Sequence, residues 1–303
     1  MERILVIGAT GLIGNPVVRK LQKDGYHVRV LTRDIQKAQS ILGPDFEFVK
    51  GDVRQPDTIE KALADCKGVH ISLKAGPTPE SYDKIEHVGT ATVARLAKEA
   101  GVERLTFLSG ASTSLENAWF YVPKAKYDAE RAIQDSGIAY TIFRASWFME
   151  SINLFVKGNR ILKIGKQKSP VHWIAAADFA DMVSKSFKTS AAKNKILFVY
   201  GPEKFTLLEG FQTYSEIVNP DLRVSTLPIW LTKMIAAVTR NAEMKDVANL
   251  MAYYEGITEN SDPSETYRIF GIPPTTLNQW CKDQIRIVNQ GFQSEYDHRD
   301  QYQ

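Results

Sequence analysis

The chain of 303 residues contains two cysteines, Cys66 and Cys281, far apart in sequence. That excludes a disulfide framework and any cysteine-based metal spacing, and it points to a reducing compartment, the cytoplasm. Net charge is scarce too. Lys and Arg number 38 against 35 Asp and Glu, a surplus of +3. So small a balance gives no electrostatic footprint for nucleic acid or for an anionic membrane surface. Long hydrophobic runs are missing. The most apolar late stretch, residues 227–238, carries Lys233 and is too short to span a bilayer. Residues 4–7 already read as a strand, which predicts that no signal peptide precedes the fold. No repeat or low-complexity tract is evident. What remains is ordinary globular composition, 44% hydrophobic and 24% charged, with length for a large core in one or two domains.

What the sequence does have is concentrated at its start. Ile4-Leu5-Val6-Ile7 is a run of apolar, mostly β-branched residues, the pattern of a strand buried on both faces. Gly8, Gly11 and Gly14 follow at spacing three, and a helix-compatible run begins at Pro16. Strand, tight turn and helix in that order make a phosphate cradle. Glycine lets backbone touch a ligand, and the helix start presents free N–H groups at a positive dipole end. The spacing is Gly-x-x-Gly-x-x-Gly, not the Gly-x-Gly-x-x-Gly of many dehydrogenases. Candidate cofactor contacts here are Gly8, Thr10, Gly11, Leu12, Ile13 and Gly14.

The next segments narrow the ligand. Residues 27–32 form a second strand and Arg33 stands just past its end, 19 residues after Gly14. An acidic residue at this place accepts from a ribose hydroxyl, whereas an arginine pairs with a 2′-phosphate. Arg33 therefore favours NADP(H) over NAD(H), the alternative being a solvated loop arginine. Asp34 reads as the N-cap of a helix over 35–42. A third strand over 46–50 ends in Gly51-Asp52-Val53, where Asp52 can accept from the adenine amino group and Val53 adds a backbone contact. Asp57-x-x-Glu60 reads as a capping box for a helix over 58–65. Residues 68–73 form the fourth strand. Leu73 and Lys74 close it at the carboxyl edge, where open α/β sheets bind ligands. Lys74 reaches cofactor phosphate or substrate, or only solvent.

Further along, residues 81–100 have helical spacing, 105–109 read as a fifth strand, 123–133 as a charged helix and 140–144 as a sixth strand. Ser112 follows the fifth strand and Trp147 and Phe148 follow the sixth, so these three are the candidate substrate pocket, the alternative for the two aromatics being plain lobe packing. Strands alternating with helices give an α/β fold, a doubly wound parallel sheet of Rossmann-like type. Residues 161–168 read as hairpin or loop, 173–187 as a helix and 196–200 as a strand returning to the sheet. Helices are expected over 206–218, 228–240, 243–254 and 275–289, the last capped by Thr275 or Thr276 behind Pro273-Pro274. The expected organisation is a nucleotide-binding domain over 1–150 completed by about 172–200. A smaller, mostly helical C-terminal lobe follows from about 151–171 and 201–290, and a polar tail over 291–303.

Taken together these residues resemble the NmrA-like branch of the atypical short-chain dehydrogenase/reductase superfamily. The carriers of the resemblance are the glycine turn, Thr32-Arg33, Gly51-Asp52, Lys126-x-x-x-Glu130 and Ser136-Gly137-Ile138-x-Tyr140-Thr141-Ile142-x-Arg144. Phe148-Met149-Glu150, Asp178-Phe179-Ala180 and Phe270-Gly271-x-Pro273 with Leu277 and Trp280 complete it. The resemblance implies that Lys126 holds the nicotinamide ribose. In catalytic members of the wider superfamily, a tyrosine four residues before that lysine is the general acid or base. Here Val122 stands at that place and Tyr121 lies one residue earlier, about 100° further round a regular helix. Tyr121 is the candidate acid beside Lys126. Ala111 stands where the superfamily serine usually falls, with Ser112 next to it. The resemblance supports two functions. One is an NADPH-dependent reductase of a small planar electrophile such as a quinone, where the cofactor carries the hydride. The other is a non-enzymatic NADP(H)-binding redox sensor acting through a protein partner. Residues 228–238 would then offer a partner or homodimer face, or else lobe core. An epimerase or dehydratase is disfavoured by the missing tyrosine.

Overall fold

The computed structural model describes residues 2–285. Strands β1 (Arg3–Ile7), β2 (His27–Thr32), β3 (Glu47–Lys50), β4 (Gly68–Ile71), β5 (Arg104–Gly110) and β6 (Tyr140–Ala145) alternate with helices. The helices are α1 (Gly14–Lys23), α2 (Ile35–Leu42), α3 (Pro56–Leu63), α4 (Pro79–Tyr82), α5 (Thr90–Glu99) and α6 (Tyr121–Asp135). Then come β7 (Trp147–Phe148), α7 (Ile152–Phe155), β8 (Val156–Lys157), β9 (Arg160–Ile164), β10 (Val171–Ile174), α8 (Ala176–Ser186) and β11 (Lys195–Val199). The remainder is β12 (Glu203–Phe205), α9 (Leu207–Val218), β13 (Arg223–Leu227), α10 (Ile229–Val238), α11 (Ala242–Tyr254), α12 (Ser264–Phe270) and a helix over 277–285.

Seven strands form one parallel sheet in the order β3-β2-β1-β4-β5-β6-β11. The strand order reverses between β1 and β4, and this switch point opens a crevice at the carboxyl ends of the strands. Alternation along β1 explains the all-apolar run. Ile4 and Val6 pack toward α1 and α8 with Val17, Leu21, Phe179 and Val183. Leu5 and Ile7 pack toward α3, α5 and α6 with Ile59, Val93, Ala97 and Ile133. Each such fully buried aliphatic side chain contributes roughly 1.5–3 kcal/mol. A third core, around Trp173, Phe211, Met251 and Trp280, holds the lobe over the sheet edge.

The α/β fold and the return of the 195–199 strand to the sheet match the sequence reading. Several elements differ from it. Helix α3 starts at Pro56 behind Gln55, so Asp57 and Glu60 form no capping box. Proline at the first helical position has the required φ and no N–H to satisfy. The helix expected over 81–100 contains a π-helical stretch, Asp83–Gly89, between α4 and α5. Trp173 lies in β10, and helix begins only at Ala176. The lobe also carries strands, in two small sheets ordered β12-β10-β7 and β13-β9-β8. Their members are two to five residues long, too short to show an alternating pattern. Asp34 caps α2 by accepting from the Lys37 N–H at 3.0 Å, as read from the sequence. Thr276, not Thr275, caps the last helix, accepting from Gln279 N. The tail over 291–303 lies outside the described residues. Among the described residues no helix is long and apolar enough to cross a membrane.

Candidate functional site: a cleft from the glycine turn to an aromatic wall

The glycine turn owes its shape to close approach. Gly8 has φ +88°, and a Cβ there would lie 2.1 Å from the carbonyl oxygen of Ser72 at the end of β4. A Cβ on Gly14 would lie 2.1 Å from the Gly8 carbonyl oxygen. Both positions therefore require glycine, and the turn is pressed against the switch point. Helix α1 begins without a side-chain cap, and its first turn holds no acidic residue. Asn15 N–H is taken by the Gly11 carbonyl and Pro16 has no N–H, so what the helix start offers an anion is its positive dipole end and the backbone N–H groups just before Asn15. Thr10, Gly11 and Leu12 are exposed above it. This cradle fits a dinucleotide pyrophosphate.

Just past β2, Arg33 is exposed and makes no hydrogen bond among the described residues. Its charge acts on Asp52. The carboxylate of Asp52 is gripped by Arg54, with Nε at 3.0 Å and Nη2 at 2.6 Å. The Arg54 contact, helped by Arg33, holds the Asp52 carboxyl below the usual carboxylate range. Two carboxylate oxygens offer about four lone-pair sites, so Asp52 keeps capacity for an adenine amino group. The Val53 side chain is buried and meets Gly89, leaving only its backbone for a ligand. Leu73 is half-buried against the core, and Lys74 is exposed in the cleft wall.

Lys126 and Tyr121 each have a partner other than one another. Lys126 Nζ lies 3.0 Å from Glu86 Oε2, 3.3 Å from the Leu108 carbonyl oxygen and 5.5 Å from the centre of the Phe107 ring. Glu86 is buried, and its Oε1 accepts the Ala75 N–H at 3.0 Å, which ties the lysine to the loop after β4. Tyr121 instead donates to Asp246 Oδ1 at 2.5 Å, and Tyr82 donates to Asp246 Oδ2 at 3.2 Å. Burial, then Asp246, pushes the Tyr121 phenol well above its ordinary pKa, the opposite of what a lysine-activated acid needs. Nothing in the sequence marks Glu86 or Asp246. Both are single acids on charged helices, and their partners lie 40 and 125 positions away.

The cleft has a volume of about 1190 Å³ and runs from Leu12 and Ile13 to Trp147, Phe148 and Tyr254. All three expected pocket residues, Ser112, Trp147 and Phe148, line it; Lys126 and Tyr121 do not. The Trp147 ring meets Tyr254 edge-on at 5.1 Å. Phe148 also packs edge-on against Phe179 at 5.4 Å, so it is half wall and half core. Two further wall residues, Ser146 and Glu259, are hydrogen-bonded to each other. Ser146 could have been suspected from its place directly after β6, whereas Glu259 has no sequence signal.

The central block explains itself structurally. Buried Glu130 takes Arg144 in a fork at 3.0 and 2.6 Å and accepts from Ser109 at 2.5 Å, locking α6 to the ends of β5 and β6. Glu150 accepts the Ala176 N–H and the Trp280 indole N–H, and Asp178 holds Thr275 through backbone and hydroxyl. Of these residues only Arg144 lines the cleft.

Comparison with known proteins bears on the family and the fold. The chain is 23% identical over 288 residues to photosystem II assembly factor Ycf39 of Trieres chinensis, covering 91% of this chain and 89% of that protein. It is 28% identical over 205 residues to the NAD(P)H azoreductase of Xenophilus azovorans, covering 66% and 68%. Its fold is similar to that of Citrobacter sp. triphenylmethane reductase, solved with NADP(H), with a TM-score of 0.73 at 19% identity, covering 93% of this chain and 99% of that one. The NAD(P)H-binding family model matches residues 8–190, from the glycine turn to just beyond α8, and the chain belongs to that family.

Proposed function

We propose that the protein is an NADPH-dependent reductase of a small planar electrophile such as a quinone. One observation carries the reading: a single cleft joins the glycine turn to an aromatic wall. Bound NADPH would supply hydride. The turn from Gly8 to Gly14, with Thr10, Leu12 and Ile13, holds the pyrophosphate on the α1 N-terminus. Arg33 pairs with the 2′-phosphate, which selects NADP(H) over NAD(H), and Asp52 with Val53 borders the adenine. Leu73 and Lys74 flank the cofactor at the β4 end. Lys126, oriented by Glu86, donates to the nicotinamide ribose. Trp147, Phe148 and Ser112 bind the acceptor, the two rings against its flat face. The similarity to an azoreductase and to the fold of a triphenylmethane reductase supports flat acceptors. The test mixes protein, NADPH and a panel of quinones and follows NADPH absorbance. Oxidation above the protein-free rate is expected for at least one acceptor; none for any acceptor overturns the reading.

A second reading, an NADP(H)-binding regulator, is favoured by helix α10. Trp230, Met234 and Val238 form an exposed apolar stripe along it. The similarity to proteins named as assembly factors points the same way. A pull-down that finds no protein partner with either oxidised or reduced nucleotide counts against it.

A further inference from the structure

Three polar side chains from distant parts of the chain meet at the aromatic end of the cleft. Ser146 follows β6, His172 lies in β10, and Glu259 lies between α11 and α12. Ser146 hydrogen-bonds Glu259 Oε1. Glu259 Oε2 accepts from the His172 backbone N–H at 2.8 Å and lies 2.9 Å from His172 Nδ1. The Glu259 side chain is only 7% exposed, whereas that of His172 is 22% exposed. The His172 ring is stacked on Tyr200 at 4.2 Å, which fixes its plane. The charged and titratable groups that act on Glu259 from the surrounding elements are His172, Tyr200 at the end of β11 and Tyr254 of α11. A staple between strand and loop would need only the Oε2 contacts. The other oxygen is instead directed at a hydroxyl in the cleft wall.

We infer that Ser146, Glu259 and His172 form a proton-delivery path from solvent to the acceptor, and that it suits planar acceptors whose hydride adduct is a basic nitrogen anion, such as an azo N=N bond. The inference rests on the reductase reading. A quinone adduct is stable enough as an anion to leave without such help; an azo adduct is not. In the azo case the N=N π bond breaks as one nitrogen gains hydride. The electron pair moves to the other nitrogen, which takes the Ser146 proton. Glu259, which accepts from the Ser146 hydroxyl, first takes a proton from His172; the carboxyl proton then replaces the one that Ser146 gives up, and His172 takes one from solvent. The balance is one NADPH, one proton and one N=N bond giving NADP⁺ and one HN–NH. A hydroxyl can accept and donate at once, which lets Ser146 pass a proton it could not supply alone.

The test compares wild type, Ser146→Ala, Glu259→Gln and His172→Gln on methyl red, a planar azo dye, and on benzoquinone. NADPH affinity is read separately by nucleotide fluorescence. Ser146→Ala and Glu259→Gln are expected to lower kcat on methyl red roughly a hundredfold, the scale of lost general-acid catalysis, with a much smaller loss on benzoquinone. The solvent deuterium isotope effect on methyl red reduction should vanish in Ser146→Ala. His172→Gln, on the solvent side, should shift the pH profile of kcat and leave KM. Equal losses on both acceptors, an unchanged isotope effect, or quinone turnover without any azo reduction by wild type overturns the path while the reductase reading stands. No oxidation of NADPH by wild type with either acceptor overturns both.

Discussion

The two ends of the cleft are built by opposite means. At the turn end the binding groups are backbone and unpaired charge: the glycines, the uncapped start of α1, and exposed Arg33 and Lys74. Toward the aromatic end the polar side chains already have partners: Ser146 with Glu259 and Tyr82 with Asp246 in the cleft wall and, from outside its lining, Lys126 with Glu86 and Tyr121 with Asp246. A ligand arriving at the first end would meet the Arg33 and Lys74 side chains, which have no hydrogen-bond partner among the described residues. At the second it meets an arranged network, the condition under which dipoles and proton sites need no rearrangement during reaction.

That contrast can be broken by substitution. The largest effect is expected at the paired end. Lys126→Ala leaves the buried Glu86 carboxylate without its counter-charge and should cost about 3 kcal/mol of stability, together with NADPH affinity. Denaturant unfolding and nucleotide titration read both, and unchanged stability would dissolve the distinction between the ends. Next, Gly8→Ala forces a Cβ to 2.1 Å from the Ser72 oxygen at a left-handed φ. NADPH affinity should fall roughly a hundredfold, about 2.8 kcal/mol, by fluorescence titration. Arg33→Ala should weaken NADPH by about 1.5–3 kcal/mol and leave NADH unchanged; equal losses contradict the 2′-phosphate contact. Tyr121→Phe removes one hydrogen bond to Asp246 and should lower stability by about 1 kcal/mol with turnover intact. Lost turnover at normal stability would restore Tyr121 as the acid. The smallest effect is on pH dependence. Arg54 depresses the Asp52 pKa, so the stability gained is present above the ordinary value of 3.8 and is lost as pH falls through the lowered one. Arg54→Ala should move that acid limb to higher pH in thermal melts.

The same contrast sorts what could be read in the sequence. The parallel sheet, the strand that returns to it and the turn were legible because each is local. Four apolar residues mark β1, three glycines mark the turn, and Arg33 stands at a fixed distance from them. Asp34 could be assigned as a cap because its acceptor role spans three residues. The paired end was not legible in this way. Ser112, Trp147 and Phe148 followed from their places after strands, but Glu86, Asp246 and Glu259 act on residues 40, 125 and 113 positions away. No periodicity encodes such pairs. Tyr121 and Lys126 looked like neighbours by sequence spacing, yet each found a stronger partner in space. The small lobe sheets escaped for a different reason, since strands such as β7 and β8 have only two residues.

The π-helical stretch Asp83–Gly89 makes the position of Lys126 depend on helix register. A turn closed by i→i+5 bonds holds one residue more than an α turn. Removing one residue before Glu86 would let α4 and α5 wind as one regular helix and swing the carboxylate about 100° round the axis. The anchor of Lys126 is thus a matter of counting: it exists at one chain length of this helix and disappears at the next shorter one, with no change in the lysine itself.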